Sequence, residues 1–346
     1  MMAEHNSNPD VHQAERLASP TRVSEQSWPE GTRPLVSVLC AVYNQEAFIE
    51  QCLKGFLMQE TTFPVEIIIQ DDASTDRTQE IIREYCSAHP RLLRPFFCQT
   101  NQLSKGVKPW SLAFRHARGA YIATCDGDDF WSLPSKLELQ VRILESEPAC
   151  FLCGGRVFVV RDGCPTPYTV EPSVEPERLK SMGPMEMLRG QWTMRTLSRM
   201  ARRCVWEEYL RIAGDDPAAC DFLFSLYCIS RSNMNPAAFR CLDEVVGTYR
   251  EHPAGIWHAA PEKTKLKTNL AVFLFALQHF DFGEQRRVME AGFIHVAEQL
   301  GLTADMNPAA HALYLELKAA RAPAPPGPLR RLRYAVARLL GGAPRG

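Results

Sequence analysis

Three apolar runs, each closing on a polar or acidic loop, constrain this chain more than any other feature. LVSVLCAV (35–42), VEIIIQ (65–70) and YIATC (121–125) are short, continuous and supplied with β-branched residues. Runs of that kind are expected of strands buried on both faces, as in a parallel sheet covered by helices. LLRPFFCQ (92–99) reads as a further strand. The segments between them have helical spacing. In EAFIEQCLKGFLMQ, Phe48, Cys52, Phe56 and Leu57 share one side; TQEIIREYCSAH gives a second helix and WSLAFRHARG a third, closed by Gly119. Strands alternating with helices predict an α/β fold with a Rossmann-like, doubly wound, mainly parallel sheet. No Gly-x-Gly-x-x-Gly follows the first strand, which argues against the dinucleotide-binding version.

The flanking regions have a different texture. Residues 1–33 hold a single aromatic, Trp28, among many Ser, Pro, Glu and Asn, and predict a disordered lead. Residues 34–257 carry the strands and form the expected main domain. Within its second half, helices are expected from near Pro184 and Asp221, and FRCLDEVVGTYR reads as two strands split by a turn. Residues 258–321 predict a helical C-terminal extension, and 322–346 a Pro/Ala/Arg-rich tail. From Arg321 onward there are six Arg and no Asp or Glu. Leu329, Leu332, Val336, Leu339 and Leu340 fit one helical face there, suited to lie in an anionic membrane surface. A disordered, solubilising tail is the other reading.

Composition narrows the class further. With 39 Lys+Arg against 40 Asp+Glu, a broad basic surface for nucleic acid is not expected. The apolar run Leu270–Leu277 is far short of the ~20 residues that span a bilayer. The first twenty residues lack an apolar signal core, so the expectation is a cytoplasmic protein, with any membrane contact peripheral, at the inner face, through the tail. The 12 Cys then read as reduced thiols. The one C-x-x-C, Cys150 to Cys153, has no partner pair at zinc-ribbon spacing and is expected in the core.

In open parallel sheets, ligands bind beyond the carboxyl ends of the strands. Here those ends run into Tyr43-Asn44-Gln45, Asp71-Asp72-Ala73-Ser74-Thr75-Asp76, the Asn101–Gly106 loop and Asp126-Gly127-Asp128-Asp129. Ser74, Thr75 and Asp76 suit a helix cap. The acids after the last run fit a cap less well, and carboxylates crowded at neighbouring strand ends repel unless a cation or ligand offsets them. Two carboxylates with phosphate oxygens make a site for a hard divalent ion, Mg²⁺ or Mn²⁺. A haloacid-dehalogenase-type phosphatase fits poorly, since Phe130 stands where Thr or Val is wanted. An EF-hand loop fits poorly too, since its twelfth position is Leu137 rather than Glu.

The set VSVLCAVYNQEAFIEQCLKGFLMQ, EIIIQDDASTDRT, NQLSKG, GAYIATCDGDDFW and PSKLELQVRILESEP resembles the family 2 glycosyltransferases, densely over residues 34–155, and GTYREHPAGIW resembles the Tyr-Arg-x-His element that closes their catalytic domain. Ala41 departs from the Pro common at that place. The resemblance implies the GT-A fold over 34–257 and inverting transfer of a sugar from a nucleotide-sugar, most simply a UDP-sugar, to a hydroxyl acceptor in polysaccharide or glycoconjugate biosynthesis. It places Ala41, Tyr43 and Glu46 against the nucleoside, Asp72 on the uracil N3–H, Lys105 near the diphosphate, and Asp126 with Gly127 at the ribose or sugar. Asp128 and His252 become metal ligands, for Mn²⁺ or Mg²⁺. The general base is sought among Asp215, Asp216 and Asp221; Asp221 is favoured because it opens an apolar helix upstream of Tyr249–His252, with an N-terminal cap as its bland alternative. Two other functions use similar residues: a sugar-1-phosphate nucleotidyltransferase, which lacks its Gly-rich basic loop here, and a degenerate sugar-nucleotide-binding protein.

Overall fold

A computed structural model describes residues 15–161, 169–179, 182–188, 194–214, 216, 218–301 and 307–320. The strands are β1 (Thr21–Arg22), β2 (Val36–Val42), β3 (Glu60–Thr61), β4 (Val65–Asp71), β5 (Leu93–Phe97), β6 (Tyr121–Asp126), β7 (Phe130–Trp131), β8 (Leu152–Arg161), β9 (Thr169–Glu171), β10 (Met200–Arg202) and β11 (Phe239–Glu251). Among the described residues, nine of them form one sheet in the order β5-β4-β2-β6-β10-β8-β11-β7, with β9 on β8. β5, β4, β2 and β6 are parallel; β10 inserts antiparallel to β6 and β8; β8 and β11 run parallel. The expected α/β sheet is therefore present, parallel on one side and mixed on the other.

Side-chain alternation explains the layering. Leu39, Ile68 and Ile122 point to one face, where they meet the Pro109–Phe114, Arg203–Ala213 and Asp221–Arg231 helices. Val38, Cys40, Ile67 and Ile69 point to the other, against the Ile49–Leu57, Thr78–Ala88 and Lys136–Ser146 helices. Both faces of β2 and β4 are buried, which is why these strands are written as unbroken apolar runs.

Four expectations change. The lead is ordered from residue 15: β1 pairs with β3, Leu17 N–H donates to Thr62 O (2.6 Å) and Val23 is buried. Residues 1–14 lie outside the described residues, as do 321–346 with the basic tail. The third helix stops at Phe114, and Gly119 does not close it. Instead a Cβ at Gly119 would lie 2.5 Å from Ser37 N, so glycine is needed for close approach to β2. FRCLDEVVGTYR lies within one 13-residue strand, β11; exposed Asp243 and Glu244 bulge out of its pairing with β8, which mimics a turn in sequence. The C-terminal helices Glu262–His279, Arg286–Leu300 and Pro308–Ala320 share the core of the main domain rather than forming a separate layer. Phe273 packs edge-on to Phe222 (5.6 Å), and Ser230 Oγ donates to Asp281 O (2.6 Å). Cys150 and Cys153 are buried thiols, the first pushed up to about 12 and the second upward by burial. No helix among the described residues is long and apolar enough to cross a membrane.

Candidate active site

The loops after β2 and β4 are fastened to each other. Asn44 N–H donates to Ser74 Oγ (2.9 Å) while Asn44 Oδ1 accepts from Thr75 N–H (2.8 Å). Glu46 N–H donates to Asp76 Oδ2 (3.1 Å) while Glu46 Oε2 accepts from Arg77 N–H (2.9 Å). Asp76 Oδ1 accepts from Thr78 N–H (3.0 Å), so the cap expected of Asp76 is formed, and Glu46 satisfies the next free N–H beside it. Asn44 and Ala73 hold positive φ of 51° and 65° inside this latch. Tyr43 stands out from it, 39% exposed.

Asp72 is buried and its carboxylate faces the next loop: Oδ1 accepts from Gln102 N–H (2.6 Å) and Oδ2 from Leu103 N–H (3.0 Å). It caps the Leu103–Lys105 turn rather than the Thr78 helix. Lys105 Nζ, exposed, donates to Thr100 Oγ1 (2.6 Å).

The end of β6 is the most charged part of the site. Gly127 N–H donates to Ala41 O (3.0 Å), and a Cβ at Gly127 would lie 2.3 Å from Gln45 Oε1, so a larger residue there would displace the Gln45 side chain that covers this turn. Asp128 Oδ2 and His252 Nε2 are 3.1 Å apart, brought together from the loop after β6 and the end of β11. Buried Asp129 accepts Arg250 N–H on Oδ1 (2.9 Å), and the Arg250 guanidinium donates to Asp128 O and Gln51 Oε1 while lying over Phe130 (4.5 Å). Burial pushes the Asp126 carboxyl well above its ordinary range; Asp128 and then Asp221 push the same way, and Arg199 opposes them. Asp129 is raised by burial and by Asp128 and Asp126.

A carboxylate oxygen and an imidazole nitrogen at hydrogen-bond distance are a donor pair that suits Mn²⁺ and, less well, Mg²⁺. Among the described residues no group of three or more His, Cys, Asp or Glu gathers as a metal cage.

Asp221 is the first residue of the Asp221–Arg231 helix, behind an N-cap, Cys220, whose Sγ accepts Leu223 N–H at 3.5 Å. Its Oδ1 accepts Phe222 N–H (2.8 Å), and its side chain is 58% exposed. Thr196, whose carbonyl accepts from Thr124 Oγ1 of β6 (2.7 Å), brings its own Oγ1 within 3.5 Å of Asp221 Oδ2, so this helix start lies beside the end of β6. Asp216 is spent on its own turn, with Oδ1 accepting Ala218 N–H (2.7 Å); Asp215 lies outside the described residues.

A family model described as glycosyl transferase family 2 matches residues 37–206, which contain every strand-end loop described above. Residues 37–206 are thus a stretch of glycosyl transferase family 2 type. The match stops before Asp221 and before Tyr249–His252. The uncharacterized protein Rv1520 of Mycobacterium tuberculosis is 35% identical over 227 residues, 65% of this chain and 61% of that one. The UDP-Glc:alpha-D-GlcNAc-diphosphoundecaprenol beta-1,3-glucosyltransferase WfgD of Escherichia coli is 24% identical over 230 residues, 63% of this chain and 88% of WfgD. The chain spans about three fifths of the length of the first of these relatives. Staphylococcus aureus TarS, solved with UDP-GlcNAc, aligns over 88% of both chains with a TM-score of 0.57 at 17% identity. The mannosyltransferase PcManGT from Pyrobaculum calidifontis, solved with GDP-Man and Mn²⁺, covers 92% of this chain and 84% of its own with a TM-score of 0.51 at 20% identity. These likenesses establish the GT-A fold.

Sequence reasoning missed Arg250, Gln51, Thr196 and Arg199, and named Asp129 among the strand-end acids without giving it a role. Arg250 carried a signal, since it alternates with His252 along a strand and so shares its face. Thr196 and Arg199 carried none; their place beside Asp221 depends on a contact across 22 residues of chain.

Proposed function

We propose that this chain transfers a sugar from a nucleotide-sugar, a UDP-sugar in the simplest reading, to an acceptor hydroxyl with inversion, in the assembly of a glycan. The observation that carries this is the convergence of Asp126, the Asp128–His252 pair and Asp221, side chains from the end of β6, the end of β11 and the start of the Asp221 helix. The families of WfgD, TarS and PcManGT support a nucleotide-sugar donor.

In this reading the latched 43–46 and 71–78 loops and the 101–105 loop hold the nucleoside, with Tyr43 against the base and Lys105 toward the diphosphate. Asp126 and Gly127 face the ribose and sugar. Asp128 and His252 would hold Mn²⁺ or Mg²⁺, which when bound supplies Lewis-acid stabilisation of the departing diphosphate. Asp221, exposed at its helix start, takes the acceptor's proton as the acceptor oxygen bonds to the anomeric carbon. The bond from that carbon to the diphosphate oxygen breaks in the same displacement, so configuration inverts and no covalent enzyme intermediate forms.

Thermal shift with UDP-, GDP-, dTDP- and CMP-sugars, with and without Mn²⁺, tests the donor, because a ligand that binds only the native state raises its stability. A UDP-sugar is expected to give the largest shift, greater with Mn²⁺, and to release UDP. A panel with no shift and no nucleotide release overturns the proposal.

A further inference from the structure

Arg199 is a cation of this site whose purpose the reaction above leaves open. It is 7% exposed, and it sits on a segment whose carbonyls are all held by the sheet and its neighbouring helix. Thr196 O accepts from Thr124 Oγ1 (2.7 Å), Leu197 O from Trp131 Nε1 (2.7 Å), Ser198 O from Gln140 Nε2 (2.8 Å) and Arg199 O from Thr124 N–H (3.3 Å). Four successive carbonyls tied to β6, β7 and the Lys136–Ser146 helix make this segment a rigid extension of the half that carries Asp126 and Asp128.

From it the guanidinium reaches across to the other half. Nε donates to Met194 O (2.7 Å), Nη1 donates to Asp221 O (3.1 Å), and Nη2 stands 3.9 Å from Asp221 Oδ2. The backbone at the start of the Asp221 helix is also held by Tyr209, whose hydroxyl donates to Cys220 O (3.2 Å), and by Ser225, whose Oγ donates to Asp221 O (2.8 Å). Both act within the helical half, and neither touches the Asp221 carboxylate. The helix's N-cap is a thiol, a poor acceptor beside the Ser, Thr, Asp or Asn usually found there. Thr196 Oγ1 meets Asp221 Oδ2 only at 3.5 Å, the edge of hydrogen-bond reach. A guanidinium is planar, presents several donors in a fixed fork and never loses its charge in a protein, so one side chain can grip a backbone carbonyl and face the carboxylate together.

We propose that Arg199 is a positioning residue for the general base: it ties Asp221 to the donor-binding half and sets its carboxylate toward the acceptor. This rests on Asp221 being that base. The arrangement requires no contact between Arg199 and the nucleotide.

The test uses nucleotide release from the panel's best sugar nucleotide by full-length Arg199→Lys, Arg199→Met, Asp221→Asn and the Arg199→Met/Asp221→Asn pair. Misplacing a reacting group by about an ångström costs on the order of 10²-fold, so Arg199→Met is expected to lose about that much kcat at an unchanged donor KM. Arg199→Lys, which keeps the charge but not the fork, is expected to recover about a tenth to a third of the wild-type rate. The double variant should be no slower than Asp221→Asn alone, since residues acting as one unit are not additive. A raised donor KM with normal kcat, or a double variant slower by the full single-variant factor, overturns the proposal. If Arg199→Met does not fold, Arg199→Lys decides, and a wild-type kcat there overturns it. Full kcat in Asp221→Asn removes the base reading and this inference with it; loss there beside wild-type kcat in Arg199→Met removes the inference alone.

Discussion

Asp72 follows the end of β4 and Asp221 opens a helix, and the two carboxylates are held in opposite ways. Asp72 is buried, and both its oxygens are filled by N–H groups of the adjoining 102–103 loop. Its neighbours Asn44, Glu46, Ser74 and Asp76 exchange bonds the same way, loop to loop. Asp221 is exposed on a thiol-capped helix and is reached from elsewhere by Arg199 and Thr196. A preformed cradle serves a ligand that always looks the same, such as a nucleotide. An open carboxylate set on a rigid arm leaves room for an acceptor to approach and for a proton to be taken.

The comparison can be broken most decisively at its seam. Asp128→Ala removes one of two side-chain donors, and several kcal/mol of leaving-group stabilisation correspond to about 10⁴-fold in rate. Transfer is expected to fall below detection, and the Mn²⁺-dependent part of the UDP thermal shift to vanish while the apo melting temperature holds. Unchanged transfer in EDTA contradicts this. On the open side, Asp221→Asn keeps size and the Phe222 N–H bond but cannot accept a proton. The expected loss is about 10²–10⁴-fold in kcat with donor affinity intact, measured by steady-state kinetics beside donor titration.

On the cradle side the signature should reverse. Asp72→Ala removes an ionised acceptor of two N–H groups, a loss of about 1.5–3 kcal/mol for each bond to a charged group. Donor KM is expected to rise at least tenfold with kcat little changed, and hydrogen exchange of the Gln102 and Leu103 amides to quicken. Weaker donor binding with undisturbed exchange would mean that Asp72 acts on the base alone.

The smallest effect concerns what lies under the arm. Lys136 is fully buried, donates to Gln140 Oε1 (2.8 Å) and lies over the Trp131 ring (4.0 Å); Gln140 and Trp131 in turn hold Ser198 O and Leu197 O. Burial pushes its ammonium down from 10.5 to about 7. A lysine lowered in the folded state binds fewer protons there than when unfolded, so its contribution is complete above its ordinary value and lost as pH falls through about 7. Lys136→Met should therefore raise the melting temperature most near pH 6, and the gain over wild type should narrow by about pH 9. A gain that does not change with pH would mean that Lys136 stays protonated in the fold.

The parts of the site that the sequence exposed are those built from neighbours in the chain. VSVLCAV, VEIIIQ and YIATC had to be buried strands, because no other element hides so short an apolar run on all sides. Their loops had to carry the ligand chemistry, and the cap at Asp76 follows from local geometry. The GT-A architecture and the family 2 character of residues 37–206 were legible for the same reason. The ordered residues 15–33 and the unbroken β11 were not, because pairing with β3 and a bulge against β8 are non-local.

What tertiary structure alone decided is which charges meet. Asp128 and His252 are 124 residues apart in sequence and 3.1 Å apart in space; Asp221 feels Asp126 across 95 residues, and Arg199 stands between them. Periodicity and caps report the free energy of a few adjacent residues, whereas these encounters depend on how β10 slots between β6 and β8 and where β11 ends. Side-chain chemistry is written in the sequence, but its distances are set by packing, and Coulomb interactions depend on distance.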